Sequence, residues 1–356
     1  MKENLKIFRN KKILITGHTG FKGSWLSLWF ENLGAEVLGV SKDIPTKPSH
    51  FKLINLDRKI KNKFVDITNL KKLKKIFINY KPDFVFHLAA QSLVKKSYRD
   101  PILTFHTNAI GTLNIMECLK VLKNKCIAII ITSDKSYKNL EINRGYREED
   151  ILGGIDPYSS SKASAEFIIQ TYYKSYLSKK KNIRIGIARA GNVIGGGDWS
   201  EDRLIPDCMK SWSKNKKVVI RSPNSTRPWQ HVLDALYGYI TLSINLKKNS
   251  KLNGQVFNFG PALNNNYKVI EVLKLAKKFW DKVFWKILDK KKKDYESNLL
   301  KLNSSKAKTI LKWNCNLSLK ETIYFTTDWY KYFYIKKKNM YNFSKNQISL
   351  FYQKIK

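Results

Sequence analysis

From residue 12 to about residue 190, short apolar runs alternate with longer stretches in which apolar side chains recur every three to four positions, the rhythm of strands joined by crossover helices. Strands are predicted at residues 12–16, 37–41, 64–66, 84–88, 128–132 and 184–189, and helices at 24–33, 70–80, 108–122 and 159–174. This is an α/β pattern with a doubly wound parallel sheet, a design whose ligand crevice lies at the carboxyl ends of the strands. After residue 192 the rhythm breaks into loops bearing Gly and Pro, followed by a helix over 232–246, a strand over 255–259 and a helix over 269–280. A smaller substrate-binding region at the carboxyl edge of the sheet is expected from these segments. From residue 336 the chain is rich in Lys, Asn and aromatics without clear periodicity, which predicts a loosely held basic tail over 336–356.

Composition narrows the class. With 356 residues, 43% hydrophobic and 27% charged, the chain can bury a substantial core. The longest apolar run, 126–131, falls far short of the roughly 20 residues that cross a bilayer. No membrane partner is expected. The basic N-terminus runs straight into the first strand without an apolar leader, which predicts a cytoplasmic protein. Cys118, Cys126, Cys208 and Cys315 have no metal-ligand spacing, so reduced structural thiols and no metal are expected. The net charge of +39 raises nucleic acid as a partner. Only ten of the 67 basic residues are arginine, however, and the lysines fall in scattered solvent-like runs without interleaved stacking aromatics. A solvated surface is the preferred reading, and no nucleic-acid partner is expected.

Chemistry enters at the first strand-to-helix junction. After Ile13-Leu14-Ile15-Thr16 comes Gly17-His18-Thr19-Gly20-Phe21-Lys22-Gly23, so three glycines recur at spacing three. Such a junction needs one glycine for the tight turn, one where the backbone approaches a pyrophosphate, and one where helix packs on strand. The second strand ends in Ser41-Lys42-Asp43: Asp43 could hold the ribose hydroxyls of NAD, and Lys42 could meet a 2′-phosphate. Spacing leaves NAD and NADP open. Asp66-Ile67 can touch an adenine edge, or Asp66 can cap the next helix. Farther on, Tyr158 and Lys162 lie one helical turn apart on one face, a proton-transfer pair in which a cation beside the phenol favours phenolate.

These segments, with His87-Leu88-Ala89-Ala90-Gln91, Asn108-Ala109-Ile110-Gly111-Thr112 and Arg189-Ala190-Gly191-Asn192-Val193, resemble the extended short-chain dehydrogenase/reductase family, which includes NAD-dependent epimerases and dehydratases. The resemblance covers nearly the whole chain. It implies a Rossmann NAD-binding domain over 1–192 to which 229–262 returns, and a sugar-nucleotide-binding region made of 193–228 and 263–335. The implied cofactor residues are Gly17, Thr19, Gly20, Phe21, Lys22, Gly23, Asp66, Ile67, Leu88, Ala89, Ala90, Asn108, Tyr158 and Lys162.

Ser133-Asp134-Lys135 after the fifth strand resembles the family's 4,6-dehydratases, in particular those acting on CDP-linked hexoses, as do GHTGFKGSWL at 17–26, GYREEDILGGIDPYSSSK at 145–162, GGGDW at 195–199 and RPWQHV at 227–232. A dehydratase needs an acid and a base to remove water across C5 and C6. By resemblance Tyr158 takes the proton of the 4-hydroxyl, Ser133 binds the C4 oxygen, Lys135 in its neutral form takes the C5 proton, Asp134 protonates the 6-hydroxyl, and Lys162 supports Tyr158. The implied substrate residues are Gln91, Asn192, Arg203, Leu204, Arg227 and His231, the arginines gripping a pyrophosphate. A homodimer or higher homo-oligomer is implied as well. The alternatives are a UDP-N-acetylhexosamine 4,6-dehydratase and a non-catalytic Rossmann protein that binds nucleic acid.

Overall fold

The computed structural model describes residues 2–142, 144–265, 267–287, 300–336 and 338–355. Seven strands make one parallel sheet: β1 (Lys12–Thr16), β2 (Glu36–Ser41), β3 (Lys61–Phe64), β4 (Phe84–His87), β5 (Cys126–Ile131), β6 (Ile183–Ala190) and β7 (Val256–Phe259), in the order β7-β6-β5-β4-β1-β2-β3. The central strands are apolar along their length because helices cover both faces. β3 differs: Lys61, Lys63 and Phe64 are exposed at the sheet edge, where lysines discourage pairing with another chain. It lies earlier than the expected 64–66, because its register is set by β2, with Leu38 opposite Lys61 and Ser41 opposite Phe64.

Eight helices matter for the site: α1 (Phe21–Asn32), α2 (Leu70–Tyr80), α3 (Gly111–Val121), α4 (Pro157–Tyr172), α5 (Leu204–Ser213), α6 (Val232–Lys248), α7 (Leu319–Lys331) and α8 (Met340–Lys354). α2, α3 and α4 cover one face of the sheet through Leu73, Phe77, Ile115, Leu119 and Ile169. α1 and α6 cover the other through Trp25, Leu28, Leu236 and Ile240, and α7 and α8 extend that core with Trp329 and Phe351. α4, which carries Tyr158, starts where it does for a local reason. Asp156 accepts a hydrogen bond from the Ser159 N–H, and Pro157 occupies the first turn, where its missing donor costs nothing. Upstream of α3 the chain is already helical at Pro101–Phe105, and a widened turn over His106–Ile110 carries Asn108.

Beyond β6 the strands are short. Val193–Ile194 pairs with Gln230–His231, Val218–Ile220 with Trp285–Ile287, and Thr226–Arg227 with Tyr267–Lys268.

The expected loose tail is instead the docked helix α8. Ile348 and Phe351 are fully buried, the Trp29 indole donates to the Tyr352 hydroxyl, Tyr341 donates to Glu31 at 2.9 Å, and the Gln347 amide donates to the Phe325 carbonyl at 2.8 Å. Its inward face also carries Ser344, which accepts from the Trp329 indole, and Gln347, whose amide donates to the Phe325 carbonyl while its Oε1 stays buried without a partner. Those two residues dilute the apolar period that would have marked the helix. A chain ending at residue 338 should therefore lose several kcal/mol of stability, at about 1.5–3 kcal/mol for each large apolar side chain uncovered, read as a lower urea midpoint; an unchanged midpoint would show that α8 contributes nothing.

Candidate active site

The glycine turn is built as a close joint. Gly17 has φ +75°, and a Cβ there would lie 2.7 Å from the Ala89 nitrogen. A Cβ on Gly23 would lie 2.0 Å from the Gly17 carbonyl oxygen, so only glycine lets α1 sit this near β1. Gly20 begins α1 with no side-chain cap, which leaves the first N–H groups of the helix facing outward. Phe21 and Lys22 stand half-buried in the first turn. This is the cradle a dinucleotide pyrophosphate requires.

Around it the other expected cofactor residues are placed with clear partners. Thr19 turns its hydroxyl to the Asp43 carbonyl at 2.6 Å. Asp66 accepts from both the N–H and the hydroxyl of Thr68 at 2.9 Å and pairs with Lys42 at 3.3 Å; these contacts outweigh burial and hold its carboxyl below the ordinary value. Asp66 does not cap the next helix: it closes a turn with Thr68, while Asn69 is the cap of α2, accepting from the Lys72 N–H at 3.0 Å, and Lys42 is engaged with the Asp66 carboxylate. Ile67 is buried against Gly111. Leu88, Ala89 and Ala90 line the end of β4 half-buried, and Asn108 clamps that loop to α4: its amide donates to the Gln91 carbonyl at 3.0 Å and to Ser161 at 2.9 Å, and its oxygen accepts from the Gln91 N–H at 2.8 Å.

The end of β5 and the start of α4 meet at the chemistry. Ser133 donates to Asp134 at 2.9 Å and accepts from the Lys135 N–H at 3.2 Å. Ser133, Asp134, Tyr158 and Lys162 are each less than a tenth exposed, and Lys135 is half-buried. Burial raises the Asp134 carboxyl above its ordinary value against the pull of Lys135, Ser133 and Lys22. The shift favours the acid over the carboxylate. Burial also raises the Tyr158 phenol, opposed by a hydrogen bond with Ser133 and by Arg203. The residue reading expected Lys162 to bring this phenol toward neutrality; here desolvation wins. Lys162 itself is drawn down to about 8 by burial, with Glu166 opposing.

Lys22 is likewise lowered to about 8, by burial and then by Arg203 and Lys162, while Asp134 and Asp198 oppose the fall. Cations are thus gathered at the carboxyl edge beyond what its carboxylates balance. Arg203 pairs with Asp198 at 3.3 Å just before α5, and Leu204 opens that helix half-buried. Arg227 is half-buried and donates to the Thr226 carbonyl at 2.8 Å. Asn192 follows β6, its carbonyl accepting from the Gln230 N–H at 3.1 Å.

Two expected substrate residues are placed otherwise. The Gln91 amide is spent on its own loop, donating to Leu93 and Thr104 and accepting from the Leu93 N–H. The His231 ring is fully buried against Phe325, where Nδ1 caps α6 by accepting from the Leu233 N–H at 3.3 Å. Gln91 shapes the rim, and His231 starts a helix with its Nε2 buried without a hydrogen-bond partner. Sequence reading missed Asp198, the partner of Arg203, and Glu166, one turn beyond Lys162 on α4. The four-residue spacing from Tyr158 to Lys162 to Glu166 was the available signal.

Fold and site together define an enzyme of the Rossmann type that works on nucleotide sugars. Residues 14–326 match the profile of the GDP-mannose 4,6 dehydratase family, and the chain belongs to that family. CDP-glucose 4,6-dehydratase of Salmonella typhimurium is 41% identical over 348 residues, 96% of either chain. Among solved structures, the epimerase Mth375 of Methanothermobacter thermautotrophicus superposes with a TM-score of 0.81 at 21% identity, over 94% of this chain and 97% of that one. The dTDP-glucose 4,6-dehydratase of Bacillus anthracis, solved in complex with NAD, superposes at 0.73 with 23% identity, over 90% and 96%. These two share the fold.

An anion in the crevice should return Lys22 and Lys162 toward their ordinary value of 10.5 from about 8. At a pH of about 8.5, between those values, binding of a pyrophosphate-bearing ligand should therefore take up protons, seen by calorimetry in buffers of different ionisation enthalpy. No uptake would show that neither ammonium faces the ligand.

Proposed function

We propose that the protein converts CDP-D-glucose to CDP-4-dehydro-6-deoxy-D-glucose and water, with NAD as its resident cofactor. The observation that carries this reading is Ser133-Asp134-Lys135 at the end of β5, beside Tyr158, with the Asp134 carboxyl buried and raised above its ordinary value. The 41% identity to the CDP-glucose enzyme supports the choice of nucleotide.

NAD fits the joint described above, with Gly17, Gly20 and Gly23 admitting the pyrophosphate at α1, and Lys42 committed to Asp66 instead of to a 2′-phosphate. NAD held there would supply the redox chemistry, uptake of the C4 hydride and its return to C6. The chain's own groups move the protons. Tyr158 takes the proton of the 4-hydroxyl, Ser133 hydrogen-bonds the C4 oxygen, and Lys162 stabilises the charge on the phenol. The C4 ketone acidifies the C5 proton, which passes to Lys135, while Asp134 gives its proton to the departing 6-hydroxyl so that water leaves; Lys135 gives a proton back to C5 once C6 has received its hydride. Arg203 and Arg227 bind the substrate pyrophosphate. In this division, 1–192 with 229–262 holds the cofactor, and 193–228 with 263–335 holds the nucleotide sugar; residues 288–299 of that region lie outside the described residues.

The enzyme acts in the cytoplasm as a homodimer. Among the described residues no helix is long and apolar enough to cross a membrane. Ile102, Phe105 and Ile110 on the helical stretch leading into α3, and Phe167 on α4, are exposed apolar side chains suited to a second copy of the chain.

Incubation with CDP-glucose and NAD should yield the 4-keto-6-deoxy sugar, and Tyr158→Phe or Lys162→Met should lower turnover by about 10²–10⁴-fold. Lys135→Met should abolish both water loss and solvent deuterium incorporation at C5. A product from UDP-N-acetylglucosamine and none from CDP-glucose would overturn the substrate assignment.

A further inference from the structure

The most enclosed ion pair in the described structure lies behind the site, and the reaction makes no direct use of it. Glu166 on α4 and Arg189 on β6 are 0% and 1% exposed at their side chains. Arg189 donates through Nε to Oε1 at 2.6 Å and through Nη2 to Oε2 at 2.5 Å, a two-point grip that fixes the carboxylate in plane. Oε1 accepts a third bond, from the Thr132 hydroxyl at 2.6 Å. Thr132 directly precedes Ser133. The guanidinium is itself held from two sides, stacked 4.4 Å from the Tyr137 ring centroid and donating through Nη1 to the Glu148 carbonyl at 3.1 Å. One carboxylate thus ties α4 to the end of β5, to β6 and to the loop after Lys135.

The same carboxylate lies one turn along α4 from Lys162. The charged and titratable groups around that ammonium are Tyr158 and Glu166 on its own helix, Lys22 from α1 and His87 from β4. His87 is held neutral by burial, with its proton affinity down to about 3, and Lys22 repels. Glu166 is the group that opposes desolvation of the Lys162 charge.

We propose that Glu166 is a positioning residue for proton transfer at Tyr158: it fixes the helix bearing Tyr158 and Lys162 against the strand end bearing Ser133 and Asp134, and it places a negative charge one helical turn from the Lys162 ammonium. Its three accepted hydrogen bonds give the first effect. Its place on α4, in a dry setting, gives the second. The third bond reaches Thr132, directly before Ser133, and so extends the pair to the strand end that carries the chemistry. The proposal rests on the dehydratase reading, so the wild-type enzyme is assayed first with CDP-glucose.

Two variants separate the effects. Thr132→Val leaves the buried pair intact and removes only the tie to β5; kcat for 4-keto sugar formation should fall severalfold with KM and pH profile unchanged. The double variant Glu166→Gln with Arg189→Met removes both charges together, so no lone ion is buried. Its circular dichroism should match wild type, while the alkaline limb of kcat/KM, set by loss of the Lys162 proton, moves to lower pH by about one unit, a tenfold change in proton affinity. A folded double variant with the wild-type limb overturns the charge role. Wild-type kcat in Thr132→Val overturns the positioning role, whether or not the double variant folds. An inactive wild-type enzyme would instead strike at the dehydratase reading itself.

Discussion

Desolvation at the carboxyl edge of the sheet governs this molecule. Lys22, Lys162 and Arg203 crowd the same edge as Asp134 and Asp198, and the two lysines lose more from burial than those carboxylates return. The strands that end there are apolar and covered on both faces, so little water reaches the groups at their tips. In such a setting a carboxyl keeps its proton and an ammonium gives one up more readily. A guest carrying phosphates would relieve the crowding, and the same burial raises the Asp134 carboxyl above its ordinary value. Recognition and chemistry thus draw on one physical cause.

Most of this was legible where short-range geometry decides the outcome. The glycine spacing at 17, 20 and 23 reflects contacts that no larger residue can make, and the pair Tyr158 and Lys162 follows from the pitch of a helix. The alternation of strands and helices follows from burial of both faces of the sheet. What escaped were features set by distant partners. Nothing local says that Gln91 will satisfy its own loop, that His231 will cap α6 inside the core, or that Asp198 will meet Arg203. α8 escaped for a related reason: Ser344 and Gln347 face inward because Trp329 and the Phe325 carbonyl wait for them, and a reading by apolar period has no access to that.

The glycine joint and the buried pair divide the labour of precision. The joint sets how near α1 approaches β1, by removing side chains. The pair sets how α4 lies against β5 and β6, by adding directed bonds. Both act at the same edge of the sheet, so the two helices that border the crevice are fixed independently of each other.

The docking of α8 on α1 also joins two distant stretches of the chain. Trp29 and Glu31, on the helix whose first turn forms the glycine joint, hydrogen-bond with Tyr352 and Tyr341, which lie 323 and 310 residues away in sequence. Support for that helix therefore comes only from a fully collapsed molecule, and a local loosening at one end of the sequence is felt at the other.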